Sequence, residues 1–266
     1  MAGAQRVVFG DSQVGTQADL QRNRQRFTRK GGKTGILLVH GFTGSPGELL
    51  PLGEHLANKN YTVDIPVLAG HCTSLEDINR TTMKDWVNSA ESAFEELRAK
   101  TDRVVLIGHS MGGVIALYLA ARHHVSGLVS ICTPIYVTNR FAWMAPLIGT
   151  VWKIKPERGP IDPAIAPYLG GYLDGTPVPA VGQLMKLIRL TKRDLPEISS
   201  PILIQQSELD RTVRPESARF VYNHVGSVQK QLKWYANSGH MLPVDVDREA
   251  AFADIDIFIQ QLEVGS

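Results

Sequence analysis

Two kinds of apolar pattern alternate along the chain. Short apolar runs stand at Thr34–Val39 (T-G-I-L-L-V) and at residues 104–107, and mainly apolar stretches at 125–131 and 201–206. Runs of this length without polar alternation predict strands buried on both faces, as in a parallel sheet. Between them the apolar positions recur at helical spacing. Ser45-Pro46-x-Glu48 opens a stretch with Leu49, Leu50, Leu52, Leu56 and Ala57, in which Ser45 reads as an N-cap, Pro46 as the first helical residue and Glu48 as its capping partner. Thr82-x-x-Asp85 repeats that pattern ahead of Trp86, Val87, Ala90, Phe94 and Leu97. Residues 61–65 and 231–235 add strands; 114–121, 215–225 and about 246–262 add helices, the last with Phe252, Ile255, Phe258 and Ile259 inward. Strands alternating with helices through short connections predict an α/β protein with a mostly parallel sheet covered on both faces.

Residues 134–196 break this rhythm. Nine of the 15 prolines fall there, among large apolar residues that include Trp143, Met144, Leu147, Ile148 and Trp152. So many prolines argue against long regular elements, and so many apolar groups argue against a solvated loop. The expected organisation is a core of residues 1–133 and 197–266 with 134–196 as an insertion folded over it as a cap.

Composition narrows the class. The 266 residues are 43% hydrophobic and 20% charged with a net charge of +2, an ordinary globular balance without a nucleic-acid footprint. The densest basic stretch, Arg22, Arg24, Arg26, Arg29, Lys30 and Lys33, precedes the first clear strand and reads as a solvated segment. Cys72 and Cys132 provide neither a disulfide framework nor a metal cluster, residues 1–6 lack an apolar signal core, and no uncharged stretch is long enough to span a bilayer. A soluble cytoplasmic protein is expected, with no cofactor, no metal and no membrane insertion.

One stretch carries candidate chemistry. Gly108-His109-Ser110-Met111-Gly112-Gly113 joins a strand to a helix, the context in which G-x-S-x-G forms a sharp turn with an exposed serine hydroxyl. That hydroxyl needs a base, and the base an acid to orient it. In a parallel sheet both must come from loops after the carboxyl ends of later strands. Asp210 follows the strand at 201–206, with Glu208 as a rival acid, and His240 is the histidine in the loop after the strand at 231–235. A developing oxyanion needs two donors; the N–H of Met111 is one, and the turn at Gly41-Phe42-Thr43-Gly44 offers the N–H of Phe42 as the other.

These residues resemble the α/β-hydrolases, and within them the bacterial carboxylesterase and monoacylglycerol lipase group. The likeness lies in Leu38-Val39-His40-Gly41-Phe42-Thr43-Gly44-Ser45-Pro46, Gly70-His71, Asp85-Trp86, the Ser110 turn, Asp210 and His240. The resemblance implies an α/β-hydrolase fold and a cofactor-free esterase acting on small-molecule esters. It makes Ser110 the nucleophile, Asp210 the acid and His240 the base, with Phe42 and Met111 as oxyanion donors. Cys72 departs from it, standing where the group has a second glycine, and so does the Trp- and Pro-rich insertion, whose Trp143, Leu147 and Trp152 are expected to line an acyl pocket. Thioester or lactone hydrolysis, and a receptor that keeps the fold without turnover, are the alternatives; a carboxylate nucleophile, as an epoxide hydrolase requires, is disfavoured by Ser110.

Overall fold

Every apolar run read as a buried strand lies in one sheet. The protein is described by a computed structural model over residues 6–9, 12–139, 142–149, 152–156, 162–170 and 175–264. In chain order it forms β1 (Arg6–Phe9), β2 (Ser12–Thr16), α1 (Gln17–Asn23), β3 (Phe27–Arg29), β4 (Thr34–Val39), α2 (Leu50–Asn58), β5 (Thr62–Ile65), α3 (Leu75–Arg80), α4 (Met83–Arg98), β6 (Arg103–His109) and α5 (Met111–Ala120). There follow β7 (Gly127–Ile131), α6 (Ala145–Ile148), β8 (Ile154–Pro156), β9 (Gly175–Pro177), α7 (Val178–Asp194), β10 (Ile202–Ser207), α8 (Glu216–His224), β11 (Lys230–Tyr235) and α9 (Arg248–Val264). The main sheet runs β11-β10-β7-β6-β4-β5-β3, parallel except for β3, which pairs antiparallel with β5.

The sheet alternation sorts side chains into two cores. Ile36, Leu38, Val105 and Ile107 bury against α2 and α9, whereas Leu37, Val39, Val104 and Leu106 bury against α4, α5 and α7. Both faces are thus apolar, which is why the strands read as unbroken runs. The chain passes from β4 to β5 on one side and returns to β6 on the other, so the carboxyl ends of β4 and β6 lie side by side with Val39 opposite Gly108. A crevice opens at such a reversal.

Two local expectations are corrected and one is refined. The basic stretch keeps Arg22, Arg26, Arg29, Lys30 and Lys33 exposed, as expected of a solvated segment, but it is regularly structured. It forms α1 and the edge strand β3, and Arg26 holds Asp64 with two hydrogen bonds of 2.9 and 2.5 Å while also pairing with Glu96 at 2.7 Å. The insertion does contain a long helix: α7 has 17 residues, and Leu184, Leu187 and Ile188 bury with residues of α4 and α5. Its prolines, Pro177 and Pro179, sit at the N-terminus, where a missing N–H breaks no helical bond. The Ser45–Glu48 capping pair does not form either; Ser45 Oγ is buried without a partner among the described residues, and residues 46–49 make a 3-10 turn. The Thr82–Asp85 pair does form, with the Thr82 N–H donating to Asp85 at 2.8 Å.

Candidate active site

Ser110 sits between the last residue of β6 and the first of α5 with φ 53° and ψ −122°. This left-handed backbone is strained for a serine, and close packing holds it there. A Cβ at Gly108 would collide with the backbone of Gly112, and one at Gly112 with the Val39 carbonyl, so the strand and the helix can approach only because both positions are glycine. The Ser110 N–H donates to the Ile131 carbonyl at 2.9 Å, tying the turn to the end of β7.

The loops after β10 and β11 bring two side chains to this turn. His240 Nε2 lies 2.9 Å from Ser110 Oγ, and His240 Nδ1 lies 2.8 Å from Asp210 Oδ2. An ionised carboxylate only accepts, so the Nδ1 proton points at Asp210 and Nε2 is free to accept from the serine. Asp210 also accepts from the N–H groups of Thr212 and Val213, each at 2.8 Å. Burial opposes its charge, but the hydrogen bond from His240 and these two N–H groups hold its carboxyl below the usual carboxylate range. Glu208, the rival acid, is exposed.

The turn after β4 is fixed by side chains that the sequence did not assign to the site. The Gly41 N–H donates to Glu48 Oε1, and the Thr43 N–H donates to His71 Nε2 at 3.2 Å. His71 donates from Nδ1 to the Ala69 carbonyl at 3.1 Å, and burial with the nearby His40 pushes it down to about 3, so it stays a neutral acceptor. His40, likewise buried, donates to the Gly41 carbonyl at 3.0 Å and accepts from the Leu68 N–H at 3.2 Å. Among the described residues the N–H groups of Phe42 and Met111 make no such bond and remain available to a ligand. The only cue to His71 was the Gly70-His71 turn; Glu48 was hidden by its resemblance to a capping residue.

Other groups can be placed against this centre. Cys72 has φ 62°, a left-handed conformation that favours glycine, the residue that the resemblance implies for this position. Burial pushes both Cys72 and Cys132 up to about 12, leaving each an uncharged thiol. Cys132, Asp210 and His240 place possible ligand atoms within 4.8 Å of one another, but the Asp210–His240 hydrogen bond occupies two of the three, so the trio does not fit a metal. A cleft of about 910 Å³ lined by Arg26, Arg29, Lys30, Lys33 and Lys100 lies at the β3 edge and includes none of Ser110, Asp210 and His240. Trp143, Leu147 and Trp152, expected to line an acyl pocket, are 68%, 70% and 62% exposed. No helix among the described residues is long and apolar enough to cross a membrane.

Comparison with known proteins places the whole fold. A family model described as "Alpha/beta hydrolase family" matches residues 36–255. A carboxylesterase of Bacillus subtilis is 29% identical over 238 residues, covering 89% of this chain and 96% of that protein. A thermostable monoacylglycerol lipase of a Bacillus species is 34% identical over 226 residues, covering 84% and 88%. A solved structure from work on LipS and LipT, two metagenome-derived lipolytic enzymes, superposes with a TM-score of 0.84 at 28% identity, covering 90% of this chain and 98% of that one.

Proposed function

Because this chain belongs to the alpha/beta hydrolase family and is a carboxylic ester hydrolase, we propose that it cleaves short- to medium-chain acyl esters, monoacylglycerols among them, through an acyl-enzyme on Ser110. The observation that carries this reading is the contact series Asp210, His240, Ser110, with 2.8 and 2.9 Å between successive members at a strained strand-to-helix turn.

In this reading Ser110 Oγ attacks the ester carbonyl carbon as its proton passes to His240 Nε2, and Asp210 stabilises the imidazolium formed. The carbonyl oxygen takes up the negative charge facing the N–H groups of Phe42 and Met111. Collapse of the intermediate expels the alcohol, which takes the proton from His240 and leaves Ser110 acylated. Water then repeats the sequence: it gives a proton to His240, attacks the acyl carbon, and releases the carboxylic acid as Ser110 regains its proton. The substrate class rests on the relative named as a monoacylglycerol lipase.

We assign residues 134–196 the part of a cap that sets acyl preference. The insertion leaves the sheet at the end of β7, and Ile131 there is bonded to Ser110, so it starts beside the nucleophile. The test is Ser110→Ala in the full chain. Hydrolysis of p-nitrophenyl butyrate and of a monoacylglycerol should fall by about 10⁴-fold or more with the fold kept, since loss of the nucleophile removes the covalent route. Turnover or phosphonate labelling retained at another serine refutes the assignment.

A further inference from the structure

A second imidazole–carboxylate couple lies behind the one that faces Ser110. Glu48 and His109 are both buried, and His109 Nδ1 stands 3.1 Å from Glu48 Oε1. The other ring nitrogen, Nε2, stands 2.9 Å from the carbonyl oxygen of His240. The same Glu48 oxygen accepts the N–H of Gly41, the residue before Phe42, and the carboxylate fills the space that a Cβ at Gly44 would need. One end of the couple therefore grips the turn that presents Phe42, and the other grips the backbone of His240.

The hydrogen-bond inventory and the ionisation of Glu48 together set its charge. A carbonyl only accepts, so Nε2 of His109 must carry a proton. Nδ1 meets a carboxylate oxygen that already accepts from Gly41, so with Glu48 ionised it must carry one too. His109 is then an imidazolium paired with a carboxylate, an arrangement tolerable in the interior only when both charges are hydrogen-bonded. Burial opposes both charges, but the hydrogen bond between the partners and their mutual attraction outweigh it, holding Glu48 below and His109 above the ordinary values. The other titratable groups around the pair agree. His40 and His71 are buried neutral, Asp210 adds attraction for the His109 proton, and the His240 ring lies 5.1 Å from that of His109, centroid to centroid.

We infer that the buried Glu48–His109 ion pair is a positioning device shared by the oxyanion turn and the general base, holding Phe42 and His240 in register with Ser110. The inference rests on the esterase reading for its effect on rate, but not for its charge state. A loose turn or a shifted His240 displaces reacting groups while leaving ground-state binding alone, so the loss should appear in kcat and not in KM. Because neither partner is useful without the other, the effects of removing them should not multiply.

The experiment compares wild type with Glu48→Gln, His109→Gln and the double variant, with Ser110→Ala as control, on p-nitrophenyl butyrate. Each single variant should lose about tenfold or more in kcat, with KM within about twofold, and the double variant should be no worse than the weaker single one. Wild-type kcat should also decline on the alkaline side as His109 gives up its second proton, and that limb should be absent from the variants. Long-range ¹⁵N–¹H spectra of the wild-type protein give a readout that requires neither activity nor a stable variant: both ring nitrogens of His109 should be protonated at neutral pH. Losses that multiply, kcat within about twofold of wild type in both folded single variants, or a neutral His109 ring would each overturn the inference. Absence of Ser110-dependent turnover in wild type would instead overturn the esterase reading, and the nitrogen spectrum would still decide for or against the pair.

Discussion

The carboxylate that orients His240 is identified by contact and by satisfaction. Asp210 makes three short hydrogen bonds, one to the imidazole and two to backbone N–H groups, whereas Glu208 two residues earlier is exposed. Replacing Asp210 with Asn keeps the shape but presents a neutral amide to Nδ1, removing both the fixed tautomer and the stabilisation of the imidazolium. Asp210→Asn should therefore lower kcat by about 10³- to 10⁴-fold, while Glu208→Gln should stay within about threefold of wild type. A larger loss from Glu208→Gln in a kcat comparison would move the acid to that position. Ser110 and Asp210 were legible in the sequence because each follows a strand that announces itself by its apolar residues, and His240 because it stands in the loop after the strand read at 231–235. Glu48, His71 and His109 were not, because their roles depend on contacts between segments far apart in the chain, such as the His109 bond to the His240 carbonyl.

At the scale of elements, legibility followed burial. Strands covered on both faces and helices with one apolar stripe matched the pattern, while β3 escaped because it has three residues in a basic stretch and only Phe27 of them is buried. α7 escaped for another reason: proline content was weighed without position, and Pro177 and Pro179 stand where a helix begins. The insertion is accordingly two things, an outer part with exposed Trp143, Leu147 and Trp152 and a helix packed into the core. If the outer part sets acyl preference, replacing those three residues with alanine should lower kcat/KM for an octanoyl ester about tenfold relative to the acetyl ester, given roughly 0.8 kcal/mol for each methylene buried. Equal losses across acetyl, butyryl and octanoyl esters, or none, would remove the cap from the account of specificity.

For the molecule as a whole, buried histidines with opposite charge states shape the dependence of stability on pH. His40 and His71 fold neutral with lowered values, so the unfolded chain binds protons that the folded one refuses as pH falls below the ordinary imidazole value of 6.5, and stability drops on the acid side. His109 is the reverse case. Its folded value is raised, so its contribution is complete below 6.5 and is lost as pH rises through the raised value. Melting temperatures taken at constant ionic strength from about pH 4 to about pH 10 should pass through a maximum near the ordinary imidazole value, and His109→Gln should flatten the alkaline side alone. A steady rise across that range in wild type would contradict the charged assignment of His109.

The insertion's first residues are not free of the acid loop. Val137 bridges to Val213, the Thr138 N–H donates to the Thr212 carbonyl at 3.0 Å, and the Arg214 N–H donates to the Tyr136 carbonyl at 2.9 Å. Thr212 and Val213 are the residues whose own N–H groups hold the Asp210 carboxylate. Any displacement of segment 136–138 must therefore either break these bonds or drag the anchor of Asp210 with it. The start of the insertion and the carboxylate that orients His240 are in this way fastened to one short length of backbone, so that a shift of either is transmitted, as through a lever, to the other.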